Sequence, residues 1–170
     1  MNIMDCIITR RSIRKYTGQV ITEEQLEALL KAAMYAPSAM KRLPWHFVVI
    51  QDPEKLAKIT EIHPYTKMVV PAGTAIVVCG DASINDNITH LTQDTAAAIQ
   101  NILLAAHGMG LGTCWCGLYD NVERRAAICE LCGIEDENIL PMSIIAVGNP
   151  DDAPETPDRF KPERIHREKW

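Results

Sequence analysis

The sequence predicts a single domain in which helices and strands alternate. Three observations carry this: 170 residues suffice for one domain with a substantial core, helix-start signals recur along the chain, and short apolar runs of strand length lie between them. Asn2 to Thr9 is predicted to be a short helix, with Ile3, Met4, Ile7 and Ile8 forming an apolar face. Thr22-Glu23-Glu24-Gln25 is a capping box, and Leu26, Leu29, Leu30 and Ala33 follow it at helical spacing, in a helix that ends before Pro37. His46–Ile50 reads as a strand. Asp52-Pro53 opens a third helix with proline at its first position, and Ala75–Cys79 reads as a buried central strand. Thr92–Met109, rich in Ala and Leu and apolar nearly all round, is expected at the centre of the fold or at an interface. A strand over Thr113–Cys116, a helix over Val122–Cys132 and a strand over Ser143–Val147 complete the pattern.

After Gly148 the composition changes. Residues 149–170 hold four prolines among charged residues, a composition whose default is disorder, yet Phe160, Ile165 and Trp170 would be costly to leave in water. The expectation is a domain over residues 1–148 and, over 149–170, an arm packed on another subunit. No apolar run approaches membrane-spanning length, and the N-terminus lacks the pattern of a signal peptide, since Asp5 interrupts it and Arg10-Arg11 end it. A cytoplasmic location is expected. The net charge of −5 argues against nucleic acid as a partner.

Against that acidic balance, Arg10-Arg11-Ser12-Ile13-Arg14-Lys15 gathers four of the 17 basic residues into six positions. Guanidinium forks beside a hydroxyl suit a phosphate monoester. Taken alone, such a run is equally a solvated helix end. Gly108-Met109-Gly110-Leu111-Gly112 invites a nucleotide-loop reading and fails it. A dinucleotide fingerprint follows a strand and opens a helix, whereas these glycines follow a helix and precede a strand. The six cysteines read as buried thiols: Cys129-x-x-Cys132 has the spacing of a zinc half-site but lacks a second pair, and no histidine motif supplies one, so no metal is expected. No Ser-His-Asp grouping, activated cysteine motif or carboxylate pair can be placed. That favours a binding module or an enzyme whose chemistry belongs to a cofactor.

Several segments, in order along almost the whole chain, resemble the nitroreductase family of FMN-dependent oxidoreductases. They are Arg10-Arg11-Ser12-x-Arg14-Lys15-Tyr16; Ala36-Pro37-Ser38-Ala39 with Pro44-Trp45-x-Phe47; and Asp94-x3-Ala98-x-Gln100-Asn101-x-Leu103-Leu104. Gly110-Leu111-Gly112-x-Cys114-Trp115-x-Gly117, Gly148-Asn149-Pro150 and the terminal Arg164-x-His166-x3-Trp170 complete the set. The resemblance implies an α+β fold, a central mixed or antiparallel sheet flanked by helices, with the C-terminal arm exchanged in a homodimer and FMN at the subunit interface. It implies that Arg10, Arg11 and Ser12 hold the FMN phosphate, with Arg159 of the arm as a second phosphate ligand. Arg14 would reach the pyrimidine edge of the flavin, with Lys67 as a further candidate there. Pro37, Ser38 and Ala39 would contact the ring from the partner, in a loop that continues through Met40, Lys41 and Leu43. The Cys116-Gly117 backbone would lie near flavin N5.

The implied activity is hydride transfer from NADH or NADPH to a nitroaromatic, quinone or similar flat acceptor, by alternate use of one open flavin face. The other readings are a non-catalytic FMN-storing or FMN-sensing module and a specialised flavin reductase or dehalogenase. One departure stands out. Lys41 and Leu43 occupy positions where the family has Asn and Gln, so Leu43 cannot supply an amide to the flavin or its loop, while Lys41 either adds a second charge near the ring or points to solvent.

Overall fold

A computed structural model describes all 170 residues, Met1–Trp170. The helices are α1 (Ile3–Thr9), α2 (Glu23–Met34), α3 (Pro53–Ile62), α4 (Val69–Ala72), α5 (Ile88–Gly108) and α6 (Val122–Cys132). The strands are β1 (Trp45–Ile50), β2 (Thr74–Asp81), β3 (Gly112–Gly117) and β4 (Ile139–Gly148). They form one sheet in the order β1-β2-β4-β3, with every strand pair antiparallel. The parallel pairing is confined to one bridge, Ser12 to Thr113, on the outer edge of β3.

Strand alternation sorts the core into two layers. Ala75, Val77 and Cys79 of β2, with Ile144 and Ala146 of β4, pack with Leu56, Ile59, Val69 and Ile128 from α3, α4 and α6. Ile76 and Val78, with Ile145 and Val147, face Leu26, Leu29, Ala98, Ile99 and Ile102 from α2 and α5. The result is an α+β fold with helices on both faces of an antiparallel sheet.

Local signals set most boundaries. The Thr22–Gln25 capping box is made in both directions, with Gln25 N donating to Thr22 Oγ1 and Thr22 N donating to Gln25 Oε1. Asp52 caps α3 through Lys55 N. Helix α5 begins four residues before the expected Thr92, because the Asn87 side chain accepts from His90 N and caps it there. Strand β4 likewise starts at Ile139 and not at Ser143. Cys79 pairs with Pro141 and Val78 with Ser143, leaving Met142 as the extra residue of a bulge, a place where a proline without an N–H is tolerated. The apolar face of α1 is the larger surprise: Ile3, Met4, Ile7 and Ile8 are all exposed, and Cys6 alone is buried.

The close approach of β4 to α4 depends on Gly148, where a Cβ would fall 2.5 Å from the Ala72 carbonyl oxygen. Beyond it, Thr17 N donates to Asn149 O and Asp151 N to Lys15 O, so the arm starts alongside residues 15–17. From Asp151 onward every residue is exposed, and Trp170 is wholly so.

Candidate active site

After α1 the chain runs extended along the edge of β3, where Ile13 N donates to Thr113 O at 2.8 Å. The alternation this imposes buries Ile13 and leaves Ser12 and Arg14 exposed. Contact is close enough that a Cβ at Gly112 would fall 2.9 Å from Ile13 Cβ, which accounts for a glycine at the start of β3.

Two cavities open beside this segment. The first, about 450 Å³, is lined by Arg10, Arg11, Arg159 and Phe160 among others, and joins α1 to the C-terminal arm. No Lys or Arg of the chain is ion-paired to a carboxylate; the single contact of that type is His46 Nε2 to Asp81 Oδ2 at 3.2 Å. The three arginines are therefore unneutralised. Arg11 is partly tied down: Nη1 donates to the Ile8 carbonyl at 2.9 Å and Nε to that of Glu155 at 3.2 Å. Its Nη2 is buried with no partner. Desolvation, then the charges of Arg159 and Arg10, hold the Arg11 guanidinium below its ordinary pKa. A cluster of this kind is short of an anion.

The second cavity, about 510 Å³, is lined by Arg14, His63, Tyr65, Cys114, Cys116 and Gly117, with Asp120 and Arg124 at the same site. A Cβ at Gly117 would meet nothing within 4 Å, so the backbone there is open to a flat ligand. His63 is buried, edge-on to Tyr65, with Nε2 2.8 Å from Gly117 O. A carbonyl only accepts, so Nε2 carries the proton and fixes the end of β3, and the buried Nδ1 is left without a partner. Arg159 thus joins Arg10 and Arg11, while Arg14 joins Cys116 and Gly117. Ser12 lines neither cavity, and neither does Lys67, which is exposed between Tyr65 and Met68.

The loop of residues 37–43 lies elsewhere. Pro37, Ser38, Ala39, Met40, Lys41 and Leu43 line neither cavity. Within one chain they are not brought to Arg10 or Arg14. Met40, Lys41 and Leu43 have φ of 53°, 56° and 50°, left-handed values that cost non-glycine residues of order 1 kcal/mol each. Hydrogen bonds hold this shape: Leu43 N donates to Ser38 Oγ at 2.9 Å, and Ala39 N to Oδ1 of the buried Asp94 at 2.8 Å. Arg42 Nη1 adds a bond to Asn85 Oδ1 at 3.3 Å. Lys41 and Leu43 are both exposed.

Sequence reasoning missed His63, Tyr65, Asp120 and Arg124, which come from two segments far apart in the chain. The one available signal was the Cys114-x-Cys116 spacing, which on a strand puts both side chains on one face.

The residues present fit FMN. Arg10, Arg11 and Arg159 offer unpaired donors, one of them a buried orphan, for a phosphate, and Arg14 stands over a cavity with an open glycine backbone for a planar ring. The sequence profile of the nitroreductase family matches residues 7–72 and 85–149. The chain belongs to the nitroreductase family. It is 46% identical over its whole length, and 88% of the relative's, to a protein of Methanothermobacter thermautotrophicus provisionally named NADH dehydrogenase/NAD(P)H nitroreductase. Its fold matches a provisionally named nitroreductase of Desulfovibrio desulfuricans solved in complex with FMN, with TM-score 0.86, 28% identity, and 100% and 98% of the two chains covered. The NADPH:FMN oxidoreductase of Vibrio harveyi, complexed with NAD+, matches with TM-score 0.86 and 28% identity over all of this chain and 78% of the other.

Proposed function

We propose that this chain is an FMN-dependent oxidoreductase that takes hydride from NADH or NADPH and delivers it to a nitroaromatic, a quinone or another flat acceptor. The observation that carries the reading is the unneutralised Arg10–Arg11–Arg159 cluster, one cavity away from Arg14 and the open backbone at Gly117. FMN, when bound, supplies the ring that accepts and releases hydride. The protein's residues do the rest. Arg10, Arg11 and Arg159 bind the phosphate with charge-assisted hydrogen bonds. Arg14, free of any carboxylate, stabilises negative charge at the pyrimidine edge. The backbone at Cys116 and Gly117, braced by His63 on the Gly117 carbonyl, orients the ring edge. Donor and acceptor use one face in turn, a ping-pong order, and the donor places the reaction in the cytoplasm.

The protein works as a homodimer on this reading. The loop of residues 37–43 of a second copy completes the site, and the exposed apolar side chains of α1, with Phe160, Ile165 and Trp170 of the 149–170 arm, find cover there. Two measurements test it. The purified protein is yellow, and its visible flavin band bleaches anaerobically on adding NADH or NADPH; a flavin that stays oxidised with both leaves an FMN-binding module and ends the enzyme reading. Sedimentation gives twice the chain mass of 18.9 kDa, and a monomer ends the shared-site reading.

A further inference from the structure

The cavity that holds Arg14 also contains two sulfur atoms for which hydride transfer has no use. Cys114 and Cys116 stand two residues apart on β3, so both side chains leave the same face, and both line the cavity with Arg14 and His63. Trp115 points to the opposite face, where Nε1 donates to Ser143 Oγ at 2.7 Å. The two cysteines are shielded from bulk water, but the cavity gives a small molecule access to them.

The remaining cysteines have other surroundings. Cys6 Sγ donates to the Leu104 carbonyl at 3.2 Å. Burial pushes the thiols of Cys79, Cys129 and Cys132 up, Cys79 to about 12. Cys114 moves the other way: its hydrogen bond with Cys116, opposed by burial and aided by the Arg14 charge, brings it to about 7. The same hydrogen bond, followed by burial and the charge on Cys114, pushes Cys116 up. At neutral pH the pair holds one thiolate and one thiol, the combination in which one sulfur attacks and the other resolves.

We propose that Cys114 and Cys116 form a peroxide-reactive pair, with Cys114 as the attacking sulfur and Cys116 as the resolving one. The oxidant is hydrogen peroxide, the two-electron reduction product of dioxygen. The Cys114 thiolate attacks one peroxide oxygen and the O–O bond breaks. Sulfur is oxidised by two electrons to a sulfenic acid, and peroxide is reduced to hydroxide, which takes up a proton as water. The Cys116 sulfur then attacks Cys114 Sγ: the S–S bond forms, the S–O bond breaks, and the hydroxyl leaves with the Cys116 proton as a second water. The backbone permits closure. A rise of about 3.3 Å per residue sets the two Cα atoms about 6.6 Å apart, at the upper end of the ~4.4–6.8 Å that a disulfide spans. Strand β3 is an edge strand whose outer side carries one bridge, at Thr113, so it is free to pucker beyond that point.

The test treats the FMN-loaded protein at neutral pH with limiting hydrogen peroxide, followed by peptide mapping by mass spectrometry. The expected product lacks two hydrogens, has Cys114 linked to Cys116 and the other four cysteines free, and is reversed by dithiothreitol. C116S stops at a sulfenic acid on Cys114, captured there by dimedone, and C114S gives neither product. Oxidation that falls first on Cys129 or Cys132, or that leaves Cys114 and Cys116 as thiols, overturns the assignment. Should a variant fail to fold, the wild-type map alone decides. The proposal stands apart from the flavin reading: a protein that binds no FMN fails that reading at its spectrum, while the same map, taken on the apoprotein, still decides the thiol pair.

Discussion

If the arginines at the first cavity serve a phosphate, the loss of one must be felt by FMN and not by riboflavin, which has the same ring and no phosphate. Arg10→Ala is the cleanest perturbation, because the Arg10 side chain lines the cavity without an ion-pair partner in the chain. A charged hydrogen bond contributes about 1.5–3 kcal/mol, so the FMN Kd should rise about 12- to 140-fold. The riboflavin Kd should stay nearly constant. Thermal stability of the apoprotein gives a second, signed check. Arg10 is one of the charges that lower the Arg11 pKa, so its removal relieves repulsion and should not lower the Tm. Titration of apoprotein by flavin fluorescence at low and high salt measures both ligands, with the gap between them shrinking as salt screens the charges. Arg11→Ala is a poorer probe, since it also breaks the bonds to the Ile8 and Glu155 carbonyls and loosens the arm. An FMN Kd that Arg10→Ala leaves unchanged, or equal weakening of FMN and riboflavin, would refute the phosphate role.

Three further outcomes follow from the packing and the charges. Gly148→Ala puts a Cβ 2.5 Å from the Ala72 oxygen and 2.9 Å from its Cα, both rigid backbone, so urea unfolding should show a loss of about 3 kcal/mol or more. Asp94→Ala strips the acceptor from Ala39 N, and should cost about 1–3 kcal/mol and speed amide hydrogen exchange across residues 39–43, with exchange in β2 unchanged. Burial raises the Asp81 carboxyl, but the bonds from Ser83 Oγ, His46 and the backbone N–H groups of Ser83 and Ile84 outweigh it and leave the folded pKa depressed. Asp81 therefore stabilises the fold above the unfolded carboxyl value of about 3.9, and that share is lost as pH falls from there through the folded value. Asp81→Asn should show a shallower acid limb in a plot of Tm against pH, and an unchanged limb would count against the assignment.

How far the sequence could be read depended on the range of the interactions. The Thr22–Gln25 box and the Asp52-Pro53 start were legible because both partners lie within one helical turn. The buried β2 was legible because both its faces are apolar, and the family was legible from an ordered set of short motifs. Asn87 also caps within one turn, but the polar run Thr89-His90 after it hid the start of α5 behind a weak periodicity. The α1 stripe was read correctly as apolar and says nothing about its cover, since spacing records which residues share a face and not what lies opposite. His63 was beyond reach for a different reason. Its partner Gly117 is 54 residues away, and only the fold sets the imidazole on that carbonyl. The left-handed Met40, Lys41 and Leu43 were equally hidden, because they are held by Ser38 and Asp94 and no glycine marks them.

The two features that cost an isolated chain most lie at different ends of the candidate site. The arginine cluster lacks a counter-charge, and the apolar side chains of α1 and the arm lack cover. On the reading proposed here a ligand offsets the first and a second copy the second, and the strained 37–43 loop touches both, since it reaches the flavin of the other subunit. Binding and association are then linked, and the linkage is reciprocal: if FMN tightens the dimer by some factor, dimerisation tightens FMN by the same factor. Dilution below the dimer dissociation constant should therefore weaken FMN binding, and saturating FMN should shift the sedimentation equilibrium towards the dimer. Asp94→Ala, by loosening the loop, should reduce that coupling while leaving the Arg10-dependent preference for FMN over riboflavin intact. An FMN affinity that is the same in monomer and dimer would mean that one chain holds the whole flavin site. The shape of the 37–43 loop would then need another explanation.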